Sequence, residues 1–256
     1  LLSEAGKHYG EGIIKEYSKR LTMELGKGYS VTQLKYIRRF YSVFSKRQSM
    51  TDLLTFTHYC AIIWFDDINE INYYIKISVE QNLSVRQLRE KIKNKEYERL
   101  DSVTKDKLIT DNQAEIQDFI KNPIVIKNTT NEEIISERVL QQLILENIPS
   151  FLDELGSGFT FVRNEYKIKI GDSYNYIDLL LYNYEFNCFV VVELKVTELK
   201  KEHIGQIEVY MNYIDKNLRK LTQDKTIGIV ICKKGNKFIM EYCSDKRILA
   251  KEYKLI

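Results

Sequence analysis

The stretch CFVVVELKV, residues 188–196, decides the fold of this 256-residue chain. Apolar runs of this kind are typical of a strand that is buried on both faces of a sheet. Two charged residues interrupt the run, Glu193 and Lys195, and because strand side chains alternate, both point to one face. A second apolar segment, YIDLLLY at 176–182, has one acidic interruption, Asp178. We therefore predict adjacent strands that bring two carboxylates and an amine together.

Charged side chains inside apolar strands predict a functional site. Burying Asp178, Glu193 and Lys195 without partners would cost several kcal/mol each, so a compensating group is expected. A divalent cation is the efficient solution, because carboxylate oxygens suit Mg²⁺ or Mn²⁺. Lys195 would then orient or deprotonate an attacking water, or neutralise charge on a phosphate. The alternative is a buried salt-bridge cluster that has no activity.

The surrounding pattern predicts an α+β domain over 133–256. A helix over 133–155, bent at Pro149, is followed by strands and then by another helix. The predicted strands are 159–162, 166–170, 176–182, 188–196, 226–232 and 237–242, with the second helix at 202–218. Helix, strands, helix and strand in this order imply a small mixed sheet with helices on its faces.

Residues 1–105 predict a helical domain. Apolar residues recur at helical spacing over 13–25, two glycines stop the pattern, and Ser30 caps a second helix that runs to 44. Helix, glycine turn and helix are the outline of a helix-turn-helix. An aromatic helix follows through Trp64, which is predicted to be core. His58 is interpreted as a capping or core histidine, with a functional role as the alternative.

The charge distribution favours a role for this helical domain in contacting nucleic acid. Residues 1–105 carry 18 basic and 13 acidic groups. Lys35, Arg38 and Arg39 share the outer face of the second helix, and Lys46-Arg47 follow. Such an asymmetry is typical of a nucleic-acid-contacting module, although an ordinary solvated surface or a partner-docking domain would also explain it. Residues 106–132 contain Asn-Pro and Asn-Thr-Thr-Asn loop formers and are predicted as a linker.

Several classes of protein are excluded by composition. No apolar run approaches the ~20 residues of a membrane helix, and the first residues show no signal sequence, so we expect a cytoplasmic protein without a membrane partner. The four cysteines form no CxxC pair and are interpreted as reduced thiols. The three histidines show no zinc-binding spacing.

The charged interruptions resemble a known signature. Asp178, a gap of 14 residues and then Glu193-Leu194-Lys195 is similar to the D…(D/E)xK signature of the PD-(D/E)XK nuclease superfamily. The helix that follows carries a QxxxY pattern, Gln206 to Tyr210, which many of these nucleases also have. The segments 151–162 and 176–180, together with 26–31 and 54–59 in the N-terminal half, resemble the YhcG-like family of bacterial nucleases. The resemblance covers most of the chain.

This resemblance implies a restriction-endonuclease-like α/β core with a mixed central sheet, behind the helical N-terminal domain. It implies that Asp178 and Glu193 bind Mg²⁺ or Mn²⁺ and that Lys195 is the catalytic lysine. Gln206 would support the site from the following helix. At 163–165 this chain has Arg-Asn-Glu where the family often has Gly-Arg-Gln, so the resemblance assigns no role to that segment.

Relatives of the Holliday-junction-resolvase kind also use a glutamate from the first core helix. Glu137 is our choice, because it begins that helix in a similar setting. Glu146 and Glu154 are rivals, and any of the three could instead be exposed helix surface.

The sequence thus predicts a Mg²⁺-dependent endonuclease that hydrolyses phosphodiester bonds in nucleic acid, with DNA as the expected substrate. The alternative is a non-cleaving nucleic-acid-binding or assembly module that retains the nuclease fold. The sequence does not decide between DNA and RNA. It also leaves the oligomeric state open, although a homodimer would suit a nuclease that cuts both strands.

Overall fold

A computed structural model describes residues 12–44, 52–100, 104–105, 116–130 and 135–256. The chain divides into two compact units, Leu1–Glu98 and Arg99–Ile256. The predicted basic pair Lys46-Arg47 lies outside the described residues. No helix in the described ranges has the length and apolar character needed to cross a membrane.

The described part of the first unit is helical. Its helices are α1 (Ile13–Leu25), α2 (Val31–Phe44), α3 (Phe56–Ile62), α4 (Ile68–Glu80) and α5 (Val85–Lys93). Side-chain caps explain where α3 and α5 begin. At α5 the backbone N–H of Gln87 donates to Ser84 Oγ at 3.3 Å, and the Ser84 backbone N–H donates to Gln87 Oε1 at 2.8 Å.

His58 is part of the packing of this unit. Its Nδ1 accepts from the Thr55 backbone N–H at 3.2 Å, which completes a cap at the start of α3. Its Nε2 lies 3.0 Å from the carbonyl oxygen of Leu83, and the residue is buried. Both ring nitrogens are therefore engaged, as expected for a capping or core histidine.

Trp64 is not in the core, and this prediction was wrong. Helix α3 ends at Ile62, before the tryptophan, and the side chain is 53% exposed. The apolar period of the preceding residues therefore does not extend to position 64. Ile62 and Ile63, immediately before it, are fully buried.

The second unit contains helices and a six-stranded sheet. Its elements are β1 (Ile124–Ile126), α6 (Glu137–Glu146), α7 (Ile148–Leu155), β2 (Phe159–Ile170), β3 (Ser173–Asn183), β4 (Cys188–Glu198), α8 (Lys201–Asn217), β5 (Ile227–Lys234), α9 (Lys237–Glu241) and β6 (Ile248–Leu255), with a 3-10 helix at Ile116–Phe119. The strand order is β1-β6-β5-β4-β3-β2. Strands β2, β3 and β4 are antiparallel neighbours, and β4, β5, β6 and β1 are parallel neighbours. The predicted mixed sheet of an α+β protein is confirmed.

Several predicted elements differ from the structure. Residues 237–242 were predicted as a strand, but 237–241 form α9, because the Asn236 side chain accepts from the Ile239 N–H at 3.3 Å and caps a helix. The last parallel strand is β6 instead. Within the predicted linker, β1 pairs with β6, with Ile124 opposite Tyr253. The predicted helix over 133–155 is divided at Asn147, whose side chain caps α7.

Strand β4 lies between two cores, which positions the site. Val190, Val192 and Leu194 belong to the core that also contains residues of α6 and α7. Val191 belongs to the core on the opposite face of the sheet, with Ile207 of α8. Glu193 and Lys195 follow Val191 at alternate positions, so β4 points both charged side chains away from the first core.

Candidate active site

Asp178 is held next to Glu193 by the pairing of β3 with β4. Leu179 lies opposite Val192 in this antiparallel pair, so the next positions on the two strands are Asp178 and Glu193. The Leu194 backbone N–H donates to Asp178 Oδ2 at 2.7 Å. This bond fixes one carboxylate oxygen of Asp178 on the neighbouring strand.

Glu193 and Lys195 form a contact on the same face of β4. Lys195 Nζ lies 3.3 Å from Glu193 Oε2 and 3.5 Å from Oε2 of Glu137, the first residue of α6. Glu193 is almost completely buried, at 1% exposure, and within the described part of the chain its Oε1 has no hydrogen-bond partner. A buried carboxylate oxygen without a donor is costly, so this oxygen is suited to an incoming ligand.

The electrostatics of the site follow from burial and from the closeness of the carboxylates. Burial, and then the charge of Asp178, raise the pKa of Glu193 to about 8, although Lys195 opposes the shift. Burial also raises the pKa of Asp178, against the effect of the Leu194 N–H. Burial lowers the pKa of Lys195, but Glu193, Glu137 and Asp178 raise it by more, so its pKa lies above the usual value. Lys195 is therefore an ammonium ion at neutral pH.

These residues fit a divalent cation. Within the described ranges, no group of three or more His, Cys, Asp or Glu side chains is arranged to hold a metal ion. Asp178 and Glu193 nevertheless supply two hard carboxylates from adjacent strands, and none of the described residues donates a hydrogen bond to Glu193 Oε1. Mg²⁺ in proteins is commonly bound by one or two carboxylates and retains several waters. The donor set therefore suits Mg²⁺ or Mn²⁺.

The structure places the three candidate glutamates in different surroundings. Glu137 contacts Lys195, as described above. Glu146 is exposed and accepts from Thr129 Oγ1 at 3.0 Å. Glu154 is buried in an ion pair with Arg99, where it also accepts from a backbone N–H of β1. Of the three, Glu137 is the one whose carboxylate reaches the lysine.

Gln206 lies on α8 and pairs with Tyr210, whose hydroxyl accepts from Gln206 Nε2 at 3.1 Å. Burial raises the pKa of Tyr210, and the charges of Glu193 and Asp178 raise it further, while the bond from Gln206 lowers it. The QxxxY pattern therefore forms a hydrogen-bonded pair one helical turn apart.

Sequence reasoning missed Gln141. Its Nε2 donates to the backbone oxygen of Asp178 at 3.0 Å, and the residue is buried. The bond connects α6, which carries Glu137, to the strand that carries Asp178. A signal was present in the sequence, because Gln141 follows Glu137 by four residues and shares its helix face.

A second missed residue, His203, is in the first turn of α8. Its Nδ1 accepts from the Lys200 backbone N–H at 3.1 Å. Burial lowers its pKa, and the charges of Lys195 and Lys200 lower it further. His203 therefore completes the cap at the start of α8.

Two family models match parts of the chain. A family model described as "YhcG PDDEXK nuclease domain" matches residues 117–256, and one described as "DUF1016 N-terminal domain" matches residues 1–99. The Escherichia coli (strain K12) protein named "Putative nuclease YhcG" is 26% identical over 293 residues. The match covers 98% of this chain and 78% of that protein.

Two solved structures are similar to part of the chain. A repair endonuclease from Pyrococcus abyssi matches with a TM-score of 0.33 and 18% identity, over 48% of this chain and 49% of that one. A complex of EndoMS with double-stranded DNA matches with a TM-score of 0.33 and 21% identity, over 50% of this chain and 48% of that one. Each match spans about half of both chains.

Proposed function

We propose that this chain, which belongs to the YhcG PDDEXK nuclease family, is an endonuclease. It would hydrolyse phosphodiester bonds in nucleic acid, with DNA as the expected substrate. The observation that carries the proposal is the convergence of Asp178, Glu193 and Lys195. The amine lies 3.3 Å from a buried glutamate, and that glutamate has a carboxylate oxygen without a donor in the described residues. A purely structural ion-pair cluster would leave this oxygen unexplained.

Asp178 and Glu193 are the residues that would hold Mg²⁺ or Mn²⁺. The bound ion would act as a Lewis acid toward the phosphate and would lower the pKa of a bound water. The raised pKa of Glu193, about 8, supports this assignment, because a nearby cation would stabilise the carboxylate that burial penalises. Binding would release the proton from Glu193, so metal affinity would increase with pH.

The protein's own groups have distinct roles in this proposal. Lys195 would neutralise negative charge that develops on the phosphate or orient the attacking water. Glu137 positions the amine from α6, with its Oε2 at 3.5 Å from Nζ. Gln141 and the Leu194 N–H hold the backbone and the carboxylate of Asp178.

A cleavage panel tests the proposal. Single-stranded, duplex and branched DNA and RNA are incubated with the full chain in Mg²⁺, Mn²⁺ or EDTA. We expect cleavage only with metal, and a loss of at least about 100-fold in the variants Asp178→Asn and Glu193→Gln, because each removes a carboxylate that would hold the metal ion. Glu137→Gln is expected to lower the rate, because it removes a partner of Lys195.

Glu146→Gln is the matched control for Glu137→Gln, since Glu146 is an exposed carboxylate on the same helix. Cleavage that persists in EDTA and in both strand variants would contradict the proposal. A protein that binds these substrates and cuts none of them with either metal would instead be the non-cleaving module. The expected cytoplasmic location and a homodimeric state stay predictions.

A further inference from the structure

The first unit contains a concave site that the proposed nuclease chemistry does not use. The cavity has a volume of about 250 Å³. We call it the basic pocket. Its lining residues are Ile14, Lys35, Arg38, Arg39, Ser42 and Trp64. Four of them come from α2 at spacings of three, four and seven residues, so they share one face of that helix.

Positive charge is concentrated in this pocket. Three cationic side chains line one cavity. Arg39 is fixed there, because its Nε donates to the carbonyl oxygen of Ile63 at 2.8 Å. Its Nη2 lies 3.5 Å from Oδ1 of Asp66, whose side chain is fully exposed. An exposed ion pair of this length is weak, so it offsets little of the charge of Arg39.

Trp64 adds an accessible aromatic surface to the same pocket. Its ring meets Tyr36 in an edge-on contact, with centroids 5.4 Å apart and planes at 79°. This contact holds the ring, and 53% of the residue remains exposed. A tryptophan in a core buries most of its apolar surface, so one left half exposed beside three cations is a candidate ligand contact.

We propose that the basic pocket binds an unpaired nucleotide of a nucleic-acid strand, with the phosphate on Lys35 and Arg38 and the base stacked on Trp64. This inference rests on the proposed function, since it assigns a second contact to the nucleic acid on which the nuclease would act. Cations that follow the backbone and aromatic rings that stack bases are the two features with which proteins bind single strands.

Three cations beside an exposed tryptophan ring disfavour two other classes of ligand, duplex DNA and acidic peptides. Bases inside a duplex are stacked on both faces by their neighbours, so the Trp64 ring has no free base to stack on. An acidic peptide without aromatic residues would satisfy the cations but would present no flat aromatic face to Trp64. Flipped, frayed or single-stranded nucleotides satisfy both requirements.

The chain offers a direct probe, because Trp64 is its only tryptophan. Intrinsic fluorescence of the full protein therefore reports on the basic pocket without a label. The titration is done in EDTA, so that nothing is cleaved, with oligothymidylate of about 15 nucleotides, which is within the site sizes of single-strand binders. Parallel titrations use the ribonucleotide equivalent, thymidine monophosphate, a duplex and a polyglutamate peptide.

We expect strong quenching by single strands and little quenching by the duplex. Comparing the deoxy and ribo strands shows whether the pocket prefers DNA or RNA. Comparing the mononucleotide with the strand shows whether a single nucleotide is sufficient for binding. Polyglutamate should leave the fluorescence unchanged. Equal quenching by polyglutamate would overturn the proposal, and so would quenching by the duplex at the same concentrations as the single strand.

Variants test the assigned residues with an end-labelled oligonucleotide read by fluorescence anisotropy. Trp64→Ala should weaken binding about 5- to 150-fold, the loss expected when one stacked base is removed, and Trp64→Phe should retain most of the affinity. Binding by Trp64→Ala that equals the wild type would overturn the proposal.

The double variant Lys35→Gln with Arg38→Gln should reduce the slope of log K against log salt by about 0.7 for each phosphate that the protein no longer neutralises. The matched control is Arg86→Gln with Arg89→Gln, two exposed arginines on α5 of the same unit. An equal reduction in the two double variants would contradict the assignment.

The two proposals fail separately. Single-strand quenching by a protein that never cleaves would support the pocket and refute the nuclease. Cleavage by a protein whose tryptophan does not respond to any strand would refute the pocket alone.

Discussion

Replacing Glu193 by glutamine should change how the stability of the metal-free protein depends on pH. The folded protein holds this carboxyl with a pKa of about 8, against 4.5 for an ordinary glutamate, chiefly because it is buried. Between these two values the folded state keeps a proton that the unfolded chain has released. The free energy of unfolding therefore decreases as the pH rises from 4.5 to about 8.

The size of the effect follows from the same pKa. At about 1.4 kcal/mol per pKa unit, the raised pKa corresponds to about 5 kcal/mol of stability lost above pH 8. Glutamine has nearly the same shape and no charge, so Glu193→Gln should remove this loss. The pKa of about 8 already includes the stabilising effect of Lys195 on the ionised carboxylate, so the loss of that ion pair does not reduce the gain further.

Urea unfolding in EDTA, from about pH 5 to about pH 9, measures the difference. The wild type should become less stable across this range, and the variant should show a smaller slope and be the more stable protein at the upper end. Added Mg²⁺ should then stabilise the wild type at about pH 8 and have little effect on the variant, since the variant lacks a ligand. Equal slopes in the two proteins, or an equal response to Mg²⁺, would refute the reasoning.

Two further predictions concern packing in the second unit, and both are measured by urea unfolding. Glu154→Gln should destabilise the protein by about 3–5 kcal/mol. The variant loses the negative charge that pairs with the buried Arg99 and Lys121 side chains. An unchanged unfolding midpoint would contradict this prediction. Gly228→Ala should cost about 1–3 kcal/mol, because the new Cβ would lie 2.5 Å from Met211 Sδ in the core under α8; a midpoint as high as that of the wild type would show that the core adjusts without cost.

Local patterns predicted the central strands well. The alternation in 188–196 correctly predicted that Glu193 and Lys195 share a face of β4, because period-two geometry is a property of any strand. Ser30 correctly predicted the start of α2, because a side-chain cap is a local interaction. These features depend on residues that are neighbours in the chain.

Short or edge elements were harder to predict. Strand β1 has three residues, too few for a periodic signal, and exists because β6 supplies a partner from the other end of the unit. Residues 237–242 carry a mixed pattern, in which the Asn236 cap and the packing of the segment against the sheet produce a helix. Trp64 was placed in the core from local hydrophobicity, although burial depends on what packs against the ring.

By itself, the sequence determined which residue types could carry the proposed chemistry, since an acidic or basic side chain in an apolar strand is visible in the sequence. Only the tertiary structure decided which helix glutamate faces Lys195, that Gln141 holds Asp178, and that three cations and Trp64 line one cavity. The physical reason is the distance along the chain over which each interaction acts. Strand alternation and helix caps act over a few residues, whereas these interactions join elements that are far apart in the chain and depend on how each unit packs.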